Sequence, residues 1–315
     1  MAVSRREFLR ASANTLAGLC IPSGIALARA APVQLIEIAD GVFGFSGTHA
    51  LMSKENAGAI CNITAIVGQD AVAVVDSGGS LAEAHEVIAA IGKVTAKPVR
   101  YLINTHMHPD HVFGNAAFRD IGAIIVGHRN LPLALAGRGD VYLARFRGLL
   151  GEELMKGVEI VPPTTLVDDT VEIDLGSRKL ELRAWKPAHT DNDLTALDLQ
   201  TGTLVAGDLV FSGHVPTLDG SLLGWIDQLD QLAAIKAARV IPGHGPVPSP
   251  WPGVLDAQRA YFAVLLRDIR KSIADGEPIS EAVKTAGQTE RSRWQLFDEY
   301  NERNATTAFA EVEWE

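Results

Sequence analysis

Cysteine is nearly absent: the 315 residues contain two. Cys20 falls in an amino-terminal stretch that reads as removable, which leaves Cys61 alone. A disulfide within the remaining chain is thereby excluded, and so is a small disulfide-built scaffold. Basic residues are also short, with 28 Lys and Arg against 38 Asp and Glu, a net charge of -10 and no Lys/Arg run. Nucleic acid is not an expected partner of so acidic a chain. Long clean hydrophobic runs are missing too. The mildly apolar stretch from Ala11 to Leu27 is interrupted by Gly, Ser, Asn and Pro, which argues against a membrane-spanning helix. What is present, 47% hydrophobic and 21% charged residues, is ordinary for a globular protein with a sizeable core. The length suits one large domain with a helical appendage.

The first 30 residues read as an address rather than as part of the fold. Ser4-Arg5-Arg6-Glu7-Phe8-Leu9-Arg10 resembles a twin-arginine export signal. An apolar region follows, and then Ala28-Arg29-Ala30, a small-x-small cleavage pattern. The alternative is a basic membrane-surface helix or an uncleaved anchor. The order of charged, apolar and small-residue regions favours the signal, hence a periplasmic protein with no stable membrane anchor after cleavage. Leu19 before Cys20 argues against a lipoprotein. Residues 1–30 carry four Arg and one Glu, so the remainder is more acidic than the whole.

The next two hundred residues alternate strand and helix patterns. Val33–Ile38 and Val42–Phe45 flank Asp40-Gly41, and Ala59–Val67 and Ala71–Asp76 flank Gly68-Gln69-Asp70. Ser80–Ile91 has helical periodicity with Ser80 as its cap. Val99–Ile103 predicts a buried strand, Phe113–Arg119 a short helix and Ala123–Val126 the next strand. Residues 128–157 predict helix, broken in two at Gly137-Arg138-Gly139. Strands follow at Leu166–Val167, Val171–Leu175, Leu180–Trp185, Asp193–Leu199 and Thr203–Ala206. Trp225–Ala238 predicts a helix, Val240–Ile241 a short strand, and the chain reads as helical from Val254 to its end. The two halves share a strand-strand-helix rhythm, which predicts an α/β protein, a four-layer α/β/β/α sandwich with a site at one edge between its sheets. The expected division is a leader at 1–30, a sandwich domain at 31–250 and a helical extension at 251–315 packed on it.

The chemistry concentrates in four segments. Asn104-Thr105-His106-Met107-His108-Pro109-Asp110-His111 packs three imidazoles and a carboxylate into six positions. Its alternation lets His106 and His108 point one way and Asp110 and His111 another, so one loop can feed two adjacent metal ions. His189 lies in Pro187-Ala188-His189-Thr190, Asp208 after Ala206-Gly207, and His244 within Pro242-Gly243-His244-Gly245-Pro246. Each follows an apolar strand that can aim it. Taken singly, His189 reads equally as a strand-end hydrogen-bonding residue and Asp208 as a turn residue. Of the other histidines, His85 reads as solvated and His128 as a neighbour of the ligands. His49 and His214 sit in loops able to overhang the pocket.

These segments, in this order, resemble the metallo-β-lactamase superfamily from roughly Val42 to Pro248. The resemblance implies a dinuclear zinc hydrolase. The first zinc would take His106, His108 and His189, and the second Asp110, His111 and His244. Asp208 and a water or hydroxide would bridge them, and Asp76 would stand behind the ligands. Two cations sharing a water supply hydroxide near neutral pH, and Asp110 is the expected catalytic residue, orienting it and passing a proton to the leaving group. With no Cys ligand, iron or manganese can replace zinc.

The bridging Asp208 resembles glyoxalase II and related thioesterases rather than the familiar zinc β-lactamases. His108-Pro109-Asp110-His111-Val112-Phe113-Gly114-Asn115-Ala116-Ala117-Phe118 and the tail Tyr300-Asn301-Glu302-Arg303-Asn304 resemble the quinoprotein relay group. The implied activity is periplasmic cleavage of an ester, thioester or related acyl bond in a small molecule, with a periplasmic quinoprotein as a partner. The alternatives are a β-lactamase, an iron-dependent redox enzyme or sulfur dioxygenase on the same scaffold, and a non-catalytic periplasmic metal-binding protein. The amphipathic stripe Tyr261, Phe262, Leu265, Leu266 and Ile269 is expected to pack on the sandwich.

Overall fold

The computed structural model describes residues 33–315. The expected export signal at 1–30, with Arg5, Arg6 and Cys20, lies outside the described residues. Among the described residues, twelve strands form two sheets. The first runs β1 (Ile36–Ala39), β2 (Val42–Phe45), β3 (Ile63–Val67), β4 (Val72–Val75), β5 (Val99–Ile103), β6 (Ile124–His128) and β7 (Thr165–Val167), in that spatial order. It is antiparallel up to β4 and parallel from β4 onward. The second contains β8 (Thr170–Asp174), β9 (Lys179–Ala184), β10 (Leu194–Asp198), β11 (Thr203–Phe211) and β12 (Arg239–His244), with β11 and β12 parallel. The helices are α1 (Leu81–Val94), α2 (Pro109–Val112), α3 (Asn115–Asp120), α4 (Leu131–Met155), α5 (Leu222–Ala233), α6 (Leu255–Ala274), α7 (Ile279–Thr285) and α8 (Phe297–Val312).

Side-chain alternation along the strands builds the layers. On β4, Ala73 and Val75 face the second sheet while Val72 and Val74 face α1. On β11, Val205 faces the first sheet and Leu204 and Ala206 face the helices α5, α6 and α8. Three stacked apolar cores follow, helix on sheet, sheet on sheet and sheet on helix, which is the α/β/β/α order expected. The C-terminal helices close the second outer layer: Tyr261, Phe262, Leu265 and Ile269 of α6 are buried against Trp225 and against Phe297, Ala305 and Ala308 of α8. Among the described residues no helix is long and apolar enough to cross a membrane.

Several boundaries differ from expectation. The expected break at Gly137-Arg138-Gly139 does not occur, and α4 runs through it. Gly139 is small because Ile160 packs where its Cβ would stand, 2.7 Å from Cγ1, so it serves packing rather than a turn. The non-helical residue is Gly151, at φ 84°. β11 does not stop at Ala206 but continues to Phe211, which puts Asp208 inside a strand rather than after one. α5 starts earlier than expected, at Leu222, because Ser221 caps it by accepting from the Gly224 N–H. The helical tail is divided before α7 at Gly276-Glu277-Pro278 and again at Gly287, which has φ 76°.

One buried ion pair ties the sheets together. Arg178 donates twice to Asp198, at 2.9 and 2.7 Å, and also to the carbonyls of Val67 and Asp40. Both side chains are buried. Burial works to raise the Asp198 pKa, but the Arg178 bonds prevail and lower it. Arg178→Ala leaves that carboxylate without its cation and is expected to cost about 3–5 kcal/mol of stability at neutral pH, read by urea unfolding. Because the folded pKa is depressed, the contribution is full above the unfolded carboxylate range. It is lost as pH falls through the lowered folded value, so the variant and wild-type curves should converge in acid.

Candidate metal centre

The site lies where the parallel strands end, at the carboxyl edges of β4, β5, β11 and β12. Asp76 follows β4 with φ 63°, a left-handed conformation unusual for a residue with a side chain. That twist turns its carboxylate across the 104–111 segment. Oδ1 accepts from the Thr105 N–H at 2.8 Å, and Oδ2 accepts from Thr105 Oγ1 and His111 Nδ1, each at 2.8 Å. The Gly243 Cβ position is filled by Asp208 Oδ1, only 1.9 Å away, so a side chain there would displace that carboxylate.

The seven side chains expected from the sequence do come together, in two groups. His106, His108, His189 and Asp208 offer ligand atoms to one point, and Asp110, His111 and His244 to another. His108 Nδ1 lies 3.0 Å from His106 Nε2 and 3.0 Å from His189 Nε2. In the second group Asp110 Oδ2 lies 3.4 Å from His111 Nε2 and 3.3 Å from His244 Nε2. Asp208 divides its oxygens between them. Oδ2 is 3.4 Å from His189 Nε2, whereas Oδ1 is 3.3 Å from His111 Nε2 and 3.4 Å from His244 Nε2.

Each imidazole is oriented by a bond at its far nitrogen. His111 Nδ1 donates to Asp76, His108 Nε2 to Asp219 Oδ2 at 3.0 Å, His189 Nδ1 to the Thr217 carbonyl at 2.6 Å and His244 Nδ1 to the Ile60 carbonyl at 3.0 Å. Thr105 Oγ1 spends its proton on Asp76, so it accepts from His106 Nδ1 at 3.0 Å. All five proton-bearing nitrogens thus face away from the centre, and five lone pairs face inward beside two carboxylates. His111 Nε2 and Asp208 Oδ1 are buried with no hydrogen-bond partner among the described residues. Lone pairs and carboxylates this close repel one another unless a cation lies between them, so the donor set fits metal ions.

The proton equilibria carry the same imprint. Burial lowers His106 well below its ordinary value and takes His189 to about 3, keeping both neutral. Burial also opposes protonation of His244, yet the Asp208 and Asp110 carboxylates raise it to about 9. Asp110 and Asp208 resist the upward push of burial through the same His partners and lie well below the usual carboxylate range. A metal cation would take the place of those protons.

Above the two groups opens a cavity of about 590 Å³. His108, Asp110, Asp208 and His244 form its floor. Its walls are Val141, Tyr142 and Phe146 of α4 and Glu299, Tyr300 and Arg303 of α8. His214 lines it, as expected of an overhanging loop. His49 instead bonds Gln295, and His85 is exposed on α1. His128 is a correction: it lines a separate cavity of about 380 Å³ with Asp168, Asp191 and Gln231, away from the ligands. Sequence reasoning missed Asp219, whose carboxylate also receives Arg138 of α4 and Arg303 of α8. No local motif marks an Asp in Leu218-Asp219-Gly220 as special; its partners come from three distant segments.

A two-sheet α/β sandwich with a clustered His and Asp centre at its strand ends defines a metallohydrolase fold. Residues 57–244 match the family described as the metallo-beta-lactamase superfamily, and the chain belongs to it. Members of that superfamily are metal-dependent hydrolases. The chain is 21% identical over 215 residues to a linear primary-alkylsulfatase of Pseudomonas sp. (strain ATCC 19151), covering 57% of this chain and 40% of the relative. It is 27% identical over 166 residues to a beta-lactamase-like protein 2 homolog of Caenorhabditis elegans, covering 51% of this chain and 48% of the relative. The chain therefore spans less than half the length of these curated relatives. Among solved structures it resembles a metallo-beta-lactamase from Pontibacter korlensis, with TM-score 0.60, 17% identity, 73% of this chain and 99% of that one. It also resembles the stereoselective inverting sec-alkylsulfatase of Pseudomonas sp., with TM-score 0.66, 14% identity, 89% of this chain and 50% of that one.

Asp219→Ala removes the acceptor that holds the His108 ring. Metal affinity is expected to fall about 10- to 100-fold, read by competition with a chromophoric chelator, while the far-ultraviolet spectrum stays unchanged. Undiminished affinity would show that Asp219 does not orient the ligand.

Proposed function

We propose that this protein is a dinuclear metallohydrolase that cleaves an ester, thioester or related acyl bond. The observation that carries the reading is Asp208, whose two oxygens face two separate imidazole groups. A single-metal site has no use for that division. His106, His108 and His189 would hold one ion, Asp110, His111 and His244 the other, with Asp208 shared. The absence of Cys from this set, and its imidazole and carboxylate chemistry, favour zinc, with iron or manganese able to substitute. Bound there, the cations supply Lewis acidity and acidify a coordinated water.

The remaining work falls to the protein. Asp76, Asp219 and the Thr217 and Ile60 carbonyls keep the imidazoles aimed, so little reorganisation is needed when charge develops. Asp110, buried on the cavity floor beside His244, is the group able to orient the attacking water and accept its proton. The walls of α4 and α8 exclude water from the reacting centre and bind the acyl or leaving group.

The place of action is proposed as the periplasm, on the strength of the twin-arginine pattern at Arg5-Arg6. A link to a quinoprotein oxidation system rests on the likeness of the His108–Phe118 segment and of the Tyr300–Asn304 tail. The alkylsulfatase relative adds sulfate monoesters to the substrates worth testing. β-Lactams are disfavoured by Asp at the shared position.

Elemental analysis of purified protein should find about two metal ions per chain, and a single iron would refute the dinuclear reading. Hydrolysis should appear in a panel of thioesters, esters, lactones, sulfate esters and β-lactams, and should vanish with chelator and return with added zinc. Asp110→Ala should lose at least about 10²-fold in kcat with its fold intact. Wild-type turnover in that variant would remove Asp110 from the mechanism. Full metal occupancy with no turnover on any substrate would leave a metal-binding protein.

A further inference from the structure

Several polar groups around the cavity are committed to one another. Arg138 and Arg303 are paired with Asp219, and the imidazoles are held as described above. Tyr300 stands apart from those pairs. It lies in the first turn of α8, half-buried, lines the cavity, and its hydroxyl has no hydrogen-bond partner among the described residues. A free hydroxyl on a cavity wall can donate to a bound molecule. Its ring packs on His214 at 5.3 Å, and His214 packs on His244 at 5.2 Å, so the phenol stands one ring away from a candidate ligand.

The position of that phenol is fixed by its neighbours on the chain. Asn304, one turn along α8, accepts from the Leu218 N–H at 2.9 Å and donates to the Pro216 carbonyl at 2.6 Å. These bonds flank Thr217, the residue whose carbonyl orients His189. Arg303 reaches Asp219 at 3.1 Å, beside the bond that orients His108. Before the helix, Gln295 bonds Gly213 and Val215 through its backbone. The segment that carries Tyr300 is thus fastened to the same loop that positions two imidazoles, which is the rigid support a reacting group requires.

We propose that Tyr300 is a catalytic hydrogen-bond donor, its hydroxyl donating to the substrate oxygen that gains negative charge as the scissile bond breaks. The inference rests on the hydrolase reading above and assigns the C-terminal helix a direct part in it. Burial, aided by the Asp110 and Asp208 charges, pushes the phenol up to about 12, so its proton stays in place at neutral pH. Tyr300 therefore stabilises charge without transferring a proton, the role of an oxyanion-hole donor.

The decisive variant is Tyr300→Phe, which keeps the ring on His214 and removes only the hydroxyl. In the zinc-loaded full chain, kcat/KM is expected to fall about 10²-fold, mostly through kcat, with melting temperature and metal content unchanged. A loss that grows from nitrophenyl to alkyl leaving groups places the bond on the leaving oxygen, and a uniform loss places it on the oxygen that stays with the acyl group; both support the proposal. Calorimetric titration with phenylphosphonate, a non-hydrolysable oxyanion, should show binding weakened about tenfold or more in the variant. Wild-type kcat/KM in Tyr300→Phe overturns the proposal. If the wild type turns over nothing, the hydrolase reading fails by itself, and equal phenylphosphonate affinity in the two proteins then overturns the role of Tyr300.

Discussion

Five imidazole lone pairs and two carboxylates are aimed into one space, and that arrangement is held open against its own repulsion. Each ring is turned by a bond at its far nitrogen, to Asp76, Asp219, Thr105, Thr217 or Ile60. Without a cation, the nearby carboxylates raise the pKa of His111 and His244 against the effect of burial, so these two rings would take up protons in place of metal. Divalent cations would relieve the repulsion more fully, so the surrounding scaffold is best understood as a device for keeping these seven side chains together.

The scaffold meets that demand with parallel strand ends. β4, β5, β11 and β12 deliver Asp76, the 104–111 segment, Asp208 and His244 to one edge. Asp208 fits only because Gly243 on the neighbouring strand carries no side chain. The two sheets must also keep their spacing, since the groups of the centre come from both. The apolar layer between the sheets supplies most of that, and Arg178 adds a polar tie by bonding Asp198 of the second sheet and the Val67 carbonyl of the first.

The helices beyond residue 251 belong to this arrangement too. They bury an apolar face against the second sheet and send α8 back over the cavity, where Asn304 and Arg303 hold the loop that supports His189 and His108. A helix that had only to cover the sheet would not need those bonds. Their presence joins the cavity wall to the imidazoles beneath it.

The seven-residue cluster was legible in the chain because its residues lie beside apolar strand patterns and His106 to His111 are neighbours in sequence, although Asp208 proved to lie within its strand rather than after it. The layer order was legible from the alternation of strand and helix patterns, and the cover helix from the stripe of Tyr261, Leu265 and Ile269. The continuity of α4 through Gly137 and Gly139 was not, because a glycine signals a turn and a tight packing contact equally, and Ile160 alone decides between them. Asp219, Arg138, Arg303 and Tyr300 were not legible as a group, since they lie on three segments that meet only in space. The sequence by itself determined which atoms could bind a metal, for that is a property of residue type and local spacing. Tertiary structure decided that Asp208 would share its oxygens between two imidazole groups, and which side chains would stand over the centre, because distances between remote segments are set by packing and not by order along the chain.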